Sequence, residues 1–171
     1  TEESSSYVIK AAINGTGESG KALRRAQVGA TYALMAHWSL TREVATVVLP
    51  TGTGKTETML VATLADHAER TLVIVPSVDL KRQIAGKFAC WGLLRELGVI
   101  PTNSPNPTVL MLNKTLCDSA DIEVIKRADV VISTPSLLAR ADTVVRSALS
   151  ELFSHVYFDE AHHVKAAEWD L

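Results

Sequence analysis

The chain has little cysteine, few aromatic residues and no excess of charge of either sign. Two of its 171 residues are cysteine and 5% are aromatic. Cys90 and Cys117 lie far apart and show no metal-ligand spacing. A reducing, cytoplasmic compartment is the expectation for such usage. Lys plus Arg number 17 and Asp plus Glu 19, for a net charge of −2. That excludes a polyanion binder acting through bulk basic charge, so any such contact must come from locally placed groups. No apolar run approaches the ~18 to 20 residues that cross a bilayer. The longest are short, ATVVLP at 45–50 and TLVIVP at 71–76. The opening TEESSS is polar and acidic, unlike a signal peptide. With 47% hydrophobic and 21% charged residues, neither intrinsic disorder nor a fibrous chain fits. The length suits about one domain, at ~150 residues each. The chain begins at Thr1 and stops just after an aspartate, and we read it as a piece of a larger protein.

Residues 1–22 read as a polar tail and linker, and 23–171 as one domain. Leu23 to Trp38 has helical spacing, with Leu23, Ala26, Ala30, Ala33 and Leu34 mostly three or four apart. Apolar runs then alternate with helical stretches. Strands are predicted at Val44–Leu49, Thr71–Val75, Thr108–Leu112, Asp129–Ser133 and Phe153–Phe158. Helices are predicted at Thr56–Ala68, Val78 to about Leu97, Ser119–Arg127 and Pro135–Leu149. PTNSPNP at 101–107 can only be a loop. The strands are continuous Val/Ile/Leu runs rather than alternating ones. The predicted fold is therefore α/β, a parallel sheet with helices on both faces.

The strongest local signal is LPTGTGKTET at 49–58, between a predicted strand and a predicted helix. Gly52 and Gly54 let the backbone curl so that successive N–H groups face phosphate oxygens. Thr51 and Thr53 complete the loop. Lys55 offers an ammonium to the β- and γ-phosphates, and Thr56 a hydroxyl to Mg²⁺. The helix start adds its positive dipole end. The strict G-x-x-x-x-G-K-[ST] pattern fails at its first glycine, because position 49 is leucine. A decoy, GTGESGK at 15–21, has the glycines and lysine but is followed by Ala22, which has no hydroxyl for a metal. It reads as a linker.

VYFDEAHH at 156–163 runs an apolar strand straight into two carboxylates. Strand alternation would turn Asp159 and Glu160 in different directions. One could hold Mg²⁺ while the other faces an attacking water, a division that phosphoanhydride hydrolysis needs. A rival reading, a metal site from His155, Asp159, His162 and His163, lacks a clear i, i+4 spacing.

Asp159-Glu160-Ala161-His162 has the form of a DEAH helicase motif II. With the loop at 50–56, whose Pro-Thr-Gly-x-Gly-Lys-Thr form is typical of helicases, the chain resembles the first RecA-like, P-loop NTPase domain of superfamily-two helicases and translocases. LRRAQ at 23–27 resembles the Q motif, which implies that Gln27 reads adenine. PSVDLKRQ at 76–83 resembles motif Ia and STPSLL at 133–138 motif Ib. The resemblance covers roughly residues 23–164. The doubled histidine is most similar to the DEAD/DEAH-type proteins related to helicase subunits of restriction enzymes; the expected partner is nucleic acid, DNA ahead of RNA, with the choice left open by the sequence. The resemblance implies ATP and Mg²⁺ as cofactors, with Lys55, Asp159 and Glu160 as the catalytic set. It implies that His162 couples the nucleotide to the nucleic-acid side.

Ser77 and Thr134 are N-cap types at strand-to-helix junctions, and Pro135 suits a first helical turn. Free N–H groups there suit nucleic-acid phosphates, with Lys81, Arg82 and Arg140 adding local positive charge. Trp38 and Trp91 read as packing residues, and Trp91 falls on the apolar face of its predicted helix. Trp169 and His163 receive no role.

The family's second RecA-like lobe has no counterpart in these residues, nor has the strand carrying its Ser-Ala-Thr motif. In the resembling fold that strand lies between the phosphate-loop and DEAH strands. The expectation is an incomplete sheet with an open slot, and an isolated piece that is poorly stable and weakly active. Three outputs stay open: strand separation, duplex-DNA pumping in a restriction or defence assembly, and a nucleotide-binding scaffold without motor work. The intact Glu160 argues against the last, since a pure binder needs no positioned base.

Overall fold

The structure is a computed structural model that describes residues 22–41 and 43–161. The chain divides into two compact units, Thr1–Ala68 with Trp91–Pro105, and Glu69–Cys90 with Asn106–Leu171. No helix among the described residues is long and apolar enough to cross a membrane.

The first unit carries α1 (Arg25–Leu40) and α2 (Lys55–Ala65), which pack against each other. The buried face of α1 is Gln27, Ala30, Thr31 and Leu34, one i, i+3, i+4, i+7 stripe. Ala26 and Ala33, expected on the apolar stripe, are exposed. Within the buried stripe, Thr31 Oγ1 donates to the Gln27 carbonyl one turn back at 2.9 Å. Trp38 lies within the last turn and is half-buried.

Val44–Leu49, predicted as a buried strand, forms none. Val44 is 88% and Val48 87% exposed. An extended run becomes a strand only when a neighbour takes up its backbone N–H and C=O groups. Here no strand among the described residues pairs with it.

The second unit is a parallel sheet of four strands among the described residues: β1 (Thr71–Ile74), β2 (Val109–Met111), β3 (Val130–Ser133) and β4 (His155–Phe158). The spatial order is β2-β3-β1-β4. Thr71 pairs with Val130 and His155, and Ile74 with Ser133 and Phe158. Met111 pairs with Ile132. β1 and β3 are buried at every residue, the pattern of strands covered on both faces. Its helices are α3 (Val78–Ala89), α4 (Ser119–Ile125), α5 (Pro135–Ala139) and α6 (Thr143–Leu152). Leu72, Ile74 and Val131 share one core with Leu116, Ile125, Leu138, Val145 and Leu149. Val73 and Ile132 alternate to the other face and are fully buried there. α3 packs against β2 and β3.

Two predicted helices end early. α3 stops at Ala89, and Trp91 and Gly92 follow at φ +60° and +52°. Left-handed residues cannot continue a right-handed helix, so Trp91 lies in a turn, half-buried, and not on a helical face. The predicted helix 135–149 is two helices. Asp142 breaks it by capping α6, its carboxylate accepting the Val144 N–H at 2.8 Å.

Arg70 fastens the amino ends of this sheet. Its guanidinium donates to the carbonyls of Ala128, Leu152 and Lys126 at 3.1, 3.2 and 2.9 Å. Its own carbonyl accepts the Ser154 hydroxyl at 3.1 Å.

Candidate functional site

In the first unit the loop 50–56 takes a shape its glycines permit. Gly52 and Gly54 have φ of +79° and +90°, a region open to glycine at no steric cost. The Thr53 N–H and hydroxyl both donate to the Pro50 carbonyl, at 3.2 and 2.5 Å. Gly54 is the N-cap of α2, so Lys55 and Thr56 occupy its first turn. Thr51 and Gly52 are exposed, and Thr53, Gly54, Lys55 and Thr56 are half-buried.

The loop is held from outside by the start of α1. Arg24 Nη1 donates to the Gly52 carbonyl at 2.6 Å, and Gln27 Nε2 to the Gly54 carbonyl at 3.1 Å. Gln27 Oε1 accepts the Arg24 N–H at 2.7 Å. A Cβ on Gly54 would lie 2.1 Å from Gln27 Nε2, so this contact needs glycine. In a trans peptide the C=O and the following N–H point in opposite directions. A captured Gly54 carbonyl therefore turns the Lys55 N–H away from Gln27. Gln27, read from sequence as an adenine reader, is 6% exposed, with both ends of its amide engaged here. Arg24 had no role at the sequence level; its place three residues before Gln27 is the one local signal.

The second unit sets its candidate residues along one edge, the carboxyl ends of the parallel strands, where open α/β sheets bind ligands. Ser77 follows β1, Thr134 follows β3, and Asp159 and Glu160 follow β4. Ser77 is exposed, and its Oγ accepts the Leu80 N–H at 3.2 Å, capping α3. Thr134 stands at the N-cap of α5 but makes no capping bond; its Oγ1 lies 3.3 Å from Ser136 Oγ. Asp159 is buried, and its N–H extends the ladder to the Ile74 carbonyl at 2.9 Å. Strand alternation does not separate the two acids, because β4 ends at Phe158. Glu160 instead turns into the left-handed region at φ +53°, and Asp159 Oδ1 accepts its N–H at 3.0 Å. That conformation costs a non-glycine residue roughly 1–2 kcal/mol.

Lys81 departs from its predicted surface role. It is 2% exposed and its Nζ donates to the Leu112 carbonyl and to Asn113 Oδ1, the latter at 2.9 Å. Burial, with Arg82 beside it, pushes its ammonium below the usual lysine range. Asn113, the residue this lysine selects, carried no signal in the sequence. Arg82 and Arg140 are exposed, and Arg82 lies 3.7 Å from Asp79. His162, His163, Trp169 and the segment 15–21 lie outside the described residues. Among the described residues no three His, Cys, Asp or Glu side chains gather as a metal site.

The family described as Type III restriction enzyme, res subunit, matches residues 20–171. No curated protein matches the chain. Among solved structures, the UvsW helicase from bacteriophage T4 is similar, with a TM-score of 0.59 at 16% sequence identity. The match covers 90% of this chain and 48% of that one, so the chain spans about half the length of that helicase. The parallel α/β layer has the fold of the first RecA-like domain of a superfamily-two helicase, and the chain belongs to the type III restriction enzyme res-subunit family.

Proposed function

We propose that this chain is the ATP-binding motor lobe of a nucleic-acid translocase or helicase, with DNA as its track. The observation that carries this reading is the loop at 50–56. Two glycines at positive φ end on the N-cap of a helix whose first residues are Lys55 and Thr56. Backbone donors, a helix start, an ammonium and a hydroxyl together form a donor set for a polyphosphate and its metal.

In the first unit, Lys55 neutralises charge on the transferred phosphoryl group and Thr56 offers a hydroxyl ligand to Mg²⁺. In the second unit, Asp159 would hold the metal through its carboxylate, and Glu160 would accept the proton of an attacking water. A bound Mg²⁺ would supply positive charge against that of the phosphates. Ser77 and Thr134 contact the nucleic-acid backbone from the carboxyl edge. His162 couples the two activities.

In the full protein, Lys55→Ala and Glu160→Gln are expected each to remove most DNA-stimulated ATP turnover, about 100-fold or more for the loss of a general base. Full turnover by Glu160→Gln would overturn the base assignment. The alternative is a translocase that pumps duplex DNA in a restriction assembly without strand separation, a setting the family's description as a restriction-enzyme subunit suits. Triplex displacement without strand displacement is the outcome that fits.

A further inference from the structure

We propose that Asn113, aimed by the buried ammonium of Lys81, donates to a phosphodiester oxygen of the nucleic acid. The contact lies one strand further along the sheet edge than Thr134. The inference rests on the nucleic-acid reading above and extends it to the loop after β2.

Three observations carry it. First, lysine is a pure donor, so the Asn113 amide must turn its oxygen toward Nζ. Its NH₂ group is then left to find another partner, on an exposed residue. Among the described residues that NH₂ has no partner. Second, the partners of Lys81 among the described residues are both neutral oxygens, the Leu112 carbonyl and Asn113 Oδ1. A lysine this buried normally faces an anion or loses its proton. Its charge reaches outward through the one side chain it holds, and charges partly shielded from water act more strongly. Third, the register fixes the neighbourhood. Met111 pairs with Ile132 and Ile74 with Ser133. Asn113 and Thr134 therefore leave adjacent strands at the same level, and Ser77 follows the next strand over.

The class of ligand follows from the chemistry. The row of Asn113, Thr134 and Ser77 offers an amide NH₂, with a buried cation behind it, and two hydroxyls, and none of the three is aromatic. Such a row suits backbone oxygens and carries no base information. The two acids that follow are already engaged: Asp118 on this loop caps α4, accepting the Asp121 N–H at 3.0 Å, and Asp121 in α4 binds Lys114 Nζ at 2.7 Å.

The test is equilibrium binding of fluorescein-labelled single-stranded DNA, duplex DNA and single-stranded RNA by the full protein over a salt series. Asn113→Asp keeps an oxygen for Lys81 but replaces the outward donor with an acceptor. It should weaken binding by more than tenfold while nucleotide binding and melting temperature stay as in the unmodified protein. Asn113→Ala should lose about tenfold, the worth of one hydrogen bond to a charged group. Lys81→Met should lose a similar factor, and the double variant Lys81→Met/Asn113→Ala should lose no more than either alone. That non-additivity is the mark of a positioning residue, since independent structural damage would add. Should Asn113→Asp melt early, Asn113→Ala decides. Unchanged binding by a folded Asn113 variant overturns the inference and leaves the nucleic-acid reading standing. If the unmodified protein binds none of the three probes, that reading fails and this inference with it.

Discussion

Thr46–Leu49 and Thr71–Ile74 are nearly the same peptide, TVVL and TLVI, and they meet opposite fates. The second is a central strand, paired on both sides and buried at every residue. The first forms no strand, and Val48 stands 87% exposed. Both have the β-branched character that favours strands. The difference teaches that such a run carries only permission to be a strand. Thr71–Ile74 has Val130–Ser133 on one side and His155–Phe158 on the other to take up its peptide groups, and Arg70 to fasten its entry. Thr46–Leu49 has no such neighbours among the described residues.

The comparison can be broken most forcefully at its centre. Val73→Asp places an unpaired carboxylate at a fully buried position. It should cost more than about 4 kcal/mol and unfold the second unit. Val48→Asp should stay within about 0.5 kcal/mol. Urea denaturation followed by circular dichroism reads both, and equal losses would mean that the two segments are equally packed. A milder change tests the fastening. Arg70→Ala removes three guanidinium bonds at the entry to β1 and should cost about 2 kcal/mol, since bonds from a charged donor are worth about 1.5–3 kcal/mol when buried and less when wet. Hydrogen exchange should then quicken at Thr71 before Ile74.

The smallest effect concerns the loop after β2. The hydrogen bond from Lys114, together with the Cys117 N–H, holds the Asp121 carboxyl below the usual carboxylate range. The same bond raises the Lys114 ammonium above its usual value. A carboxyl with a lowered native pKa adds stability above its ordinary pKa, and that stability fades as pH falls through the lowered value. Acidification through and below the ordinary aspartate range should therefore narrow the gap in urea midpoint between the unmodified protein and Asp121→Asn. A gap that widens on acidification would contradict this sign.

Legibility followed the range of the interactions. The phosphate loop depends on neighbours in sequence, and PTGTGKT shows where the backbone must turn left-handed and where a helix must start. The parallel sheet was legible too, because continuous apolar runs separated by helical stretches leave few alternatives. The kink at Asp142 is a cap that the 135–149 periodicity masked. The turn at Trp91 overrode an apolar stripe because consecutive left-handed residues end a helix whatever the spacing.

By itself, the sequence determined the chemistry on offer: glycines that can curl, a lysine and threonine opening a helix, two acids at a strand end, and apolar runs that can form a layer. These are local facts, fixed by covalent geometry and side-chain type. Only the tertiary structure decided which apolar run became a strand, that Gln27 and Arg24 grip the carbonyls of Gly54 and Gly52, and that Lys81 turns inward to aim Asn113. Each of those joins residues some 25 or more positions apart. Their energies depend on burial and on the partner brought opposite, and neither quantity exists until the chain has folded.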